Sequence, residues 1–477
     1  MNIVAQFANM QQDRKTLIRK ALDSSAGVGG ALVPQHLEKT ITNTVLRLSP
    51  ELALLEPEFD PQKLHEYNQL TALPSAGGAM GEGATTPVKN GTYARKSITL
   101  KVIRRKGTVT NFLQDASKSY IDAAAAEMEN HLQSHVYDLN TYNVWGSAGA
   151  NAYAWDGLDS ICVNDSKRRI VEAVAGVVPA SLKFLDDMID LNLRKQGVAH
   201  KKAFLMSPEM QSLTSRLLTN VRLEQDVGVT EIKGGWRLMT YRGIPIVPTS
   251  LTSPGGKMGA VTATFANSGG TVADGAYYFR VAYVDWSGES EASDEATVTC
   301  SGGAGNAHVV TLAWTAVDGA MFYKVYAAIT TSGAEKLVAV LPAGTYLADG
   351  TPAANVTGCA ISTAPATRNP TVTLSATSGV TTGPTLSVPT ATMALDVPYV
   401  ANAGVVPETV ILWDLDKYQG LGKFPYTNQG GSRFNGMVTM ELLARTDDNI
   451  PFLIKSYGGL CPSFDLTSVI HRGLRVA

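Results

Sequence analysis

Between Asp115 and Asn143 apolar residues recur at helical spacing: Ile121, Ala125, Met128, Leu132, Val136 and Leu139. Neither Gly nor Pro interrupts them. The pattern predicts one long helix, capped at Asp115 or Ser117 and roughly 40 Å long. A rod of that length suits a spine on which extended elements are hung. Upstream of it the chain alternates instead. Residues Leu70–Phe112 read as a long β-hairpin with a turn-rich tip, GGAMGEGATTPVKNGTYAR. Its return strand sets Ile98, Leu100 and Val102 on one face, Thr99 and Lys101 on the other. Further upstream stand a short amphipathic helix over Met10–Asp23, a Gly-rich break, an arm starting at Val33–Pro34 and a second short helix near Leu37–Leu46. Such an arm buries little against itself and needs a partner surface.

After the spine comes a Gly- and Ala-rich loop, WGSAGANAYAWDGLDSI. A helix over Ser181–Gln196 follows, capped by Ser181 and stopped by Gly197. The strand Ala203–Met206 comes next, then a helix opened by Ser207–Pro208. Trp236–Tyr241 and Ile244–Val247 read as a hairpin around Arg242–Gly243. Near Leu251 the composition shifts to Gly, Thr, Val, Ala and Ser, and helical periodicity disappears. Ala276–Asp285, Glu295–Cys300, His308–Thr315, Phe322–Ala328 and Glu335–Leu341 are strand-like, with turns at sandwich spacing. This is read as an inserted β-sandwich, self-contained, entered near Ser253–Lys257 and left through a Thr/Pro/Ser-rich segment from Thr351. The mixed pattern then resumes with VPETVILWDLDKYQGLGKF and strands over Asn435–Arg445 and Ile450–Ser456, so the insert interrupts a domain.

The 477 residues suffice for two to four domains, and 44% hydrophobic with 17% charged residues suits a globular chain with wide interfaces. A net charge of −2 without a basic tail disfavours nucleic-acid binding through a cationic arm. No secretory signal or membrane-spanning run is evident. Charge is one-sided locally. Lys89, Arg95, Lys96, Lys101, Arg104, Arg105 and Lys106 meet no acid between Glu82 and Asp115, while the helix carries Asp115, Asp122, Glu127, Glu129 and Asp138. A basic hairpin beside an acidic rod suggests contact with a neighbouring subunit's helix; a solvated charged face is the plainer alternative. His131 and His135 have zinc-ligand spacing but no HExxH glutamate or third ligand. Gly302–Gly305 reads as a turn, no Gly-x-Ser-x-Gly elbow is present, and Asp414, Asp416, Asp447 and Asp448 form no catalytic pair. Nothing calls for an enzyme, metal or cofactor. Cys162, Cys300, Cys359 and Cys461 are read as free thiols, with a Cys300–Cys359 pairing left open.

In order, GGALVP, the hairpin with MGEGATTP, ITLKVIRRKGTVTNFLQDA, NVWGSAGANAYAWDGL and RGIPIVPTS resemble the major capsid proteins of tailed bacteriophages, the Hong Kong 97 fold. The insert, in GAYYFRVAYVDWSGESEAS and VTLAWTAVDGAMFYKVYAA, resembles fibronectin type III or immunoglobulin-like modules with the strand order reversed. The resemblance implies an α+β Hong Kong 97-like chain: an amino-terminal arm (1–60), an extended loop (61–112), the spine with the first part of the peripheral and axial domains (113–251), the inserted sandwich and return linker (252–394), and the completion of those domains (395–477). It implies a virion protein, assembled in the host cytoplasm into an icosahedral shell of hexamers and pentamers around packaged double-stranded DNA. A separate scaffolding protein, a portal and a decoration protein would be its partners. The scaffolding partner follows from expecting no large cleaved amino-terminal segment. An encapsulin-like compartment, or an adhesin argued from the sandwich, are the alternatives. The charged residues above, Glu82 included, become inter-subunit assembly candidates. One branch of the family joins a loop lysine to a neighbour's asparagine with a glutamate as base. Here NGMVTMELLARTDDNIPFLIK places Glu441 as that glutamate, but Asn435 stands one position from the acceptor's place, and on a strand such a slip turns a side chain to the opposite face. Lys89 and Lys96 lie near the tip without being marked out, so a non-covalent shell is expected.

Overall fold

A computed structural model describes residues 47–477 except 48, 76–81, 83–87, 118–121, 152, 163–168, 172–177, 195–200, 221–229, 233–235, 253–254, 303–306, 330–331, 333–334, 347–351, 364–371, 377–407, 428–436, 446, 465–466, 475 and 477. The expected arm helices, Gly197, Asn435, most of the hairpin tip and the linker after Ala376 lie outside the described residues.

The hairpin pairs Leu64–Ala72 with Thr92–Thr99, in register from Leu64 opposite Thr99 to Leu70 opposite Tyr93. It ends sooner than the alternation implied. At Leu100, which is buried, the chain leaves the hairpin, and Lys101–Thr110 pairs along its whole length with Asn449–Gly458. The apparent face of Ile98, Leu100 and Val102 therefore spans two elements, and Val102 is exposed. A period of two marks an extended chain but not its partner strand. Thr439–Leu442, Lys423–Tyr426 and Glu56–Phe59 complete this peripheral sheet. Described strand structure in the region read as Asn435–Arg445 is confined to Thr439–Leu442.

The spine is shorter than expected and does not begin at Asp115 or Ser117. Asn111–Ser117 is one helix; Ala123–Trp145 is another, of 23 residues and so about 34 Å. Asp122 separates them with an extended backbone and caps the second by accepting the Ala125 N–H at 3.0 Å. The apolar stripe also fails to describe burial. Leu132 is exposed, while the last eleven residues are buried nearly all round, including His135, Asp138, Asn140, Thr141 and Asn143. Here the helix runs between other packed elements, so its polar side chains are matched by partners rather than by water.

A six-stranded axial sheet follows in the order Arg169–Val171, Val469–Leu474, Glu408–Asp414, Lys202–Met206, Ile244–Pro248, Thr240–Tyr241. Lys202–Met206 is fully buried, and the helices Lys183–Arg194 and Pro208–Asn220 pack on the same core through Leu185, Met188 and Met210. Arg242 and Gly243 make the tight turn with φ of 49° and 77°. The strand read as Trp236–Tyr241 is divided: Trp236–Leu238 pairs instead with Thr230–Ile232.

Glu408–Asp414 and Ile244–Pro248 both flank Lys202–Met206, so the chain between them leaves and re-enters one sheet. That chain builds two further sheets. One joins Gly255–Lys257, Gly288–Glu291, Gly275–Asp285, Phe322–Ile329 and Lys336–Pro342, with Ala296–Cys300 at its side; the other joins Val261–Ala266, Val309–Trp314, Pro352–Ile361 and Gly344–Tyr346, with Val372–Ala376. They enclose Phe279, Val310, Leu312, Trp314, Tyr323 and Val325. Two expectations change. Pro352–Ile361 and Val372–Ala376 are strands rather than a return linker, and Gly255–Lys257 is a strand rather than a loose entry. Nor is the sandwich self-contained: Phe322, Tyr326 and Leu337 share a core with Leu139, Trp145 and Trp413 of the body.

Candidate assembly surfaces

The hairpin stands on its own base. Tyr67 donates to the Pro462 carbonyl (3.0 Å), Gln69 to the Ser463 carbonyl (2.6 Å), and His65 meets Asp60 at 2.7 Å. Beyond these ties its apolar residues are uncovered. Leu73, Val88 and Tyr93 are 76%, 88% and 74% exposed, and Leu64 and Leu70 are also exposed. A two-stranded hairpin is marginal in water, so such residues want a surface to meet.

The basic residues read together in sequence divide between two elements. Lys89, Arg95 and Lys96 are exposed on the hairpin, as is Glu82 in its tip. Arg95 approaches Glu66 at 3.6 Å, a solvated pair of little energetic weight. Lys101, Arg104, Arg105 and Lys106 belong to the peripheral strand. Arg105 faces the spine and holds Asp138 of its own chain with two hydrogen bonds of 2.6 and 2.9 Å, so it serves inside the subunit. Arg104 and Lys106 alternate to the opposite face and are exposed; Lys101 is half-buried.

Glu441 is paired with Lys455 of its own sheet at 2.6 Å. Burial pulls the Lys455 ammonium down, but the bond it donates to Glu441 and the neighbouring Tyr457 outweigh this and hold its pKa above the usual value. His131 lies against Glu127 and edge-on to Phe452, whereas His135 points to Ser456 at 2.8 Å. No group of three potential metal ligands occurs among the described residues. Cys162, Cys300, Cys359 and Cys461 are all free and buried, so the open Cys300–Cys359 pairing is not made.

Sequence reading missed a buried ionic cluster. The Lys324 ammonium lies 2.7 Å from Asp159 and 2.8 Å from Glu289 and sits 4.5 Å from the centre of the Trp145 ring. Glu289 also accepts from Arg472 and Tyr326. Burial alone would push the Glu289 carboxyl up; Arg472 and Lys324 outweigh it and hold it below the usual range. The signal was a lone Lys in the otherwise apolar strand FYKVYAA, where an unpaired charge would be costly. Its partners, at 159, 289 and 472, are too far apart in sequence to suggest the pairing.

No known family profile matches the chain, and no curated protein does. Solved structures do. The holo-SrpI encapsulin complex from Synechococcus elongatus aligns over 95% of this chain and 97% of its own, at 9% identity and a TM-score of 0.47. The capsid of the native GTA particle aligns over 94% and 98%, at 8% and 0.46. The capsid of Myoviridae phage XM1 aligns over 95% and 100%, at 8% and 0.45. Within this chain, an extended hairpin, a strand leading from it to a long helix, a peripheral sheet against that helix and an axial sheet beyond it follow one another as expected from the sequence. This α+β order is the one that the sequence resemblance to the Hong Kong 97 fold implies. At these identities and scores the likenesses carry no argument about function, which has to be argued from the surfaces.

Proposed function

We propose that this chain is a major capsid protein that assembles into the icosahedral shell of a phage-like particle around double-stranded DNA. The observation that carries the reading is the hairpin: two long strands, anchored at the base, with Leu70 and Tyr93 exposed along them and Leu73 and Val88 exposed beyond their ends towards the tip. Apolar residues on a projecting element are explained by a neighbouring copy that covers them. Lys89, Arg95, Lys96 and Glu82 would lie in that contact, and Lys101, Arg104 and Lys106 would border it. Hexamers and pentamers, a scaffolding protein, a portal and a decoration protein complete the reading, as does assembly in the host cytoplasm. DNA would be confined rather than bound by sequence, in keeping with the net charge of −2. The sandwich would be an immunoglobulin- or fibronectin-like insert on the outer face.

Deleting residues 78–95 tests this directly. The subunit should stay folded, with unchanged thermal unfolding, and should form no particles in negative stain. Normal shells from the deletion would refute the reading. Extracting nucleic acid from nuclease-treated wild-type particles separates a DNA-filled head from an encapsulin-like compartment, which would yield a cargo protein instead.

A further inference from the structure

Two polar attachments tie the sandwich to the spine. Its Trp286, in the turn between Gly275–Asp285 and Gly288–Glu291, donates to Asp138 at 2.9 Å, and the Arg105 guanidinium that clasps the same carboxylate lies 5.5 Å from the Trp286 ring centre. Two helical turns later, Trp145 lies beneath Lys324, whose ammonium links the sandwich to Asp159. Glu289 of the sandwich carries the link on to Arg472. Residues seven apart lie on nearly the same face of a helix, so both attachments grip one side of the spine about 10 Å apart.

Each attachment also reaches a different sheet. Arg105 belongs to Lys101–Thr110 of the peripheral sheet, and Arg472 to Val469–Leu474 of the axial sheet. We infer that the sandwich is an internal brace: it spans the joint between the peripheral and axial sheets and holds the last two turns of the spine rigid between them. A tolerated decoration would touch the body through a small, polar, water-filled contact. Here the contact around Lys324 is buried and charge-paired. Lys324, Asp159, Glu289 and Arg472 are two cations and two anions, so the cluster is neutral, and Phe322 packs edge-on against Tyr142 of the spine.

Hydrogen exchange on the unassembled full-length chain tests the inference, and its outcome does not depend on whether the protein forms a shell. Trp286→Ala removes one attachment without touching the sandwich core around Phe279, Trp314 and Tyr323. Amides of the sandwich should stay protected. Those of residues 135–145 and 101–110 should exchange faster by on the order of tenfold, as a local opening becomes easier. Trp286→Phe, which keeps a ring but loses the N–H donor, should fall between. Lys324→Met leaves buried carboxylates short of a cation and should raise exchange at residues 139–145 and 469–474 by on the order of a hundredfold. Replacing residues 255–376 with a short Gly/Ser linker should abolish protection of the spine's last turns, or leave no soluble chain. Unchanged exchange outside the sandwich in the point variants, or wild-type spine protection in the replacement, would overturn the brace.

Discussion

Glu51 offers the most quantitative test of how this subunit is held together. It is fully buried where the chain enters its described body, at the start of the short helix Glu51–Leu54. Ser49 donates to one carboxyl oxygen at 2.9 Å, and Thr249, at the end of an axial strand, is bonded to the other. Among the described residues no ion pair to Glu51 is found. Leu52 and Ser49 are tied to Asn140 of the spine, so the site joins three elements. Burial raises the Glu51 pKa from 4.5 to about 7, with Thr249 and Ser49 relieving part of the effect. The folded chain thus binds this proton more tightly than the unfolded chain. Its contribution to stability is complete below 4.5, declines as pH rises towards about 7, and is lost above that. A difference of that size corresponds to about 3 kcal/mol. Glu51→Gln keeps the shape and the hydrogen-bonding capacity but cannot ionise. It should match the wild type in mild acid and exceed it by up to about 3 kcal/mol at about pH 8. The assay is urea unfolding of the unassembled subunit across that range, followed by tryptophan fluorescence. Parallel pH profiles for the two proteins, or a Gln variant weaker at the alkaline end, would refute the reasoning.

Other tests use the same protein. Burial holds His135 neutral, with a pKa lowered from 6.5 to about 4; its contribution to stability should therefore fall as pH drops through that interval, and the difference between wild type and His135→Gln should change there in the direction opposite to that for Glu51→Gln. Gly107 lies under the Phe452 ring, and a methyl group there would stand 2.2 Å from it, so Gly107→Ala should cost about 1–3 kcal/mol in a thermal or urea unfolding series. A companion Phe452→Leu should recover part of that loss, and a neutral Gly107→Ala would contradict the packing. All four cysteines are buried, and burial pushes the Cys359 thiol up to about 12; a thiol reagent should label them only after denaturation, and rapid labelling of native protein would count against this. With Glu441 engaged by Lys455 in its own chain, boiled particles should run as one monomer band on a denaturing gel; a ladder removed by Glu441→Gln would show a covalent shell instead.

The kinds of element and their order were legible in the residues themselves. Helical spacing marked the spine, the cap-then-Pro order marked the helix after Ser207–Pro208, alternation and turn residues marked the hairpin and five strands of the sandwich, and the composition change near Leu251 marked where the chain leaves one sheet. These are local properties, set by which faces a segment must bury. Whatever depended on a partner distant in sequence was decided by tertiary structure. Lys101–Thr110 continues the hairpin's alternation but pairs with Asn449–Gly458, more than three hundred residues away. The spine's amphipathic stripe lost its meaning where packed elements surround the helix, and Asp138 became a buried junction for Arg105 and Trp286. Pro352–Ile361 and Val372–Ala376, with little strand signature of their own, became strands because Val309–Trp314 offered an edge to the first and the first then offered one to the second. Lys324 announced that it needed a counter-charge; only the folded chain could supply Asp159 and Glu289, because a buried charge is neutralised by whatever the fold brings within reach and not by its neighbours in sequence.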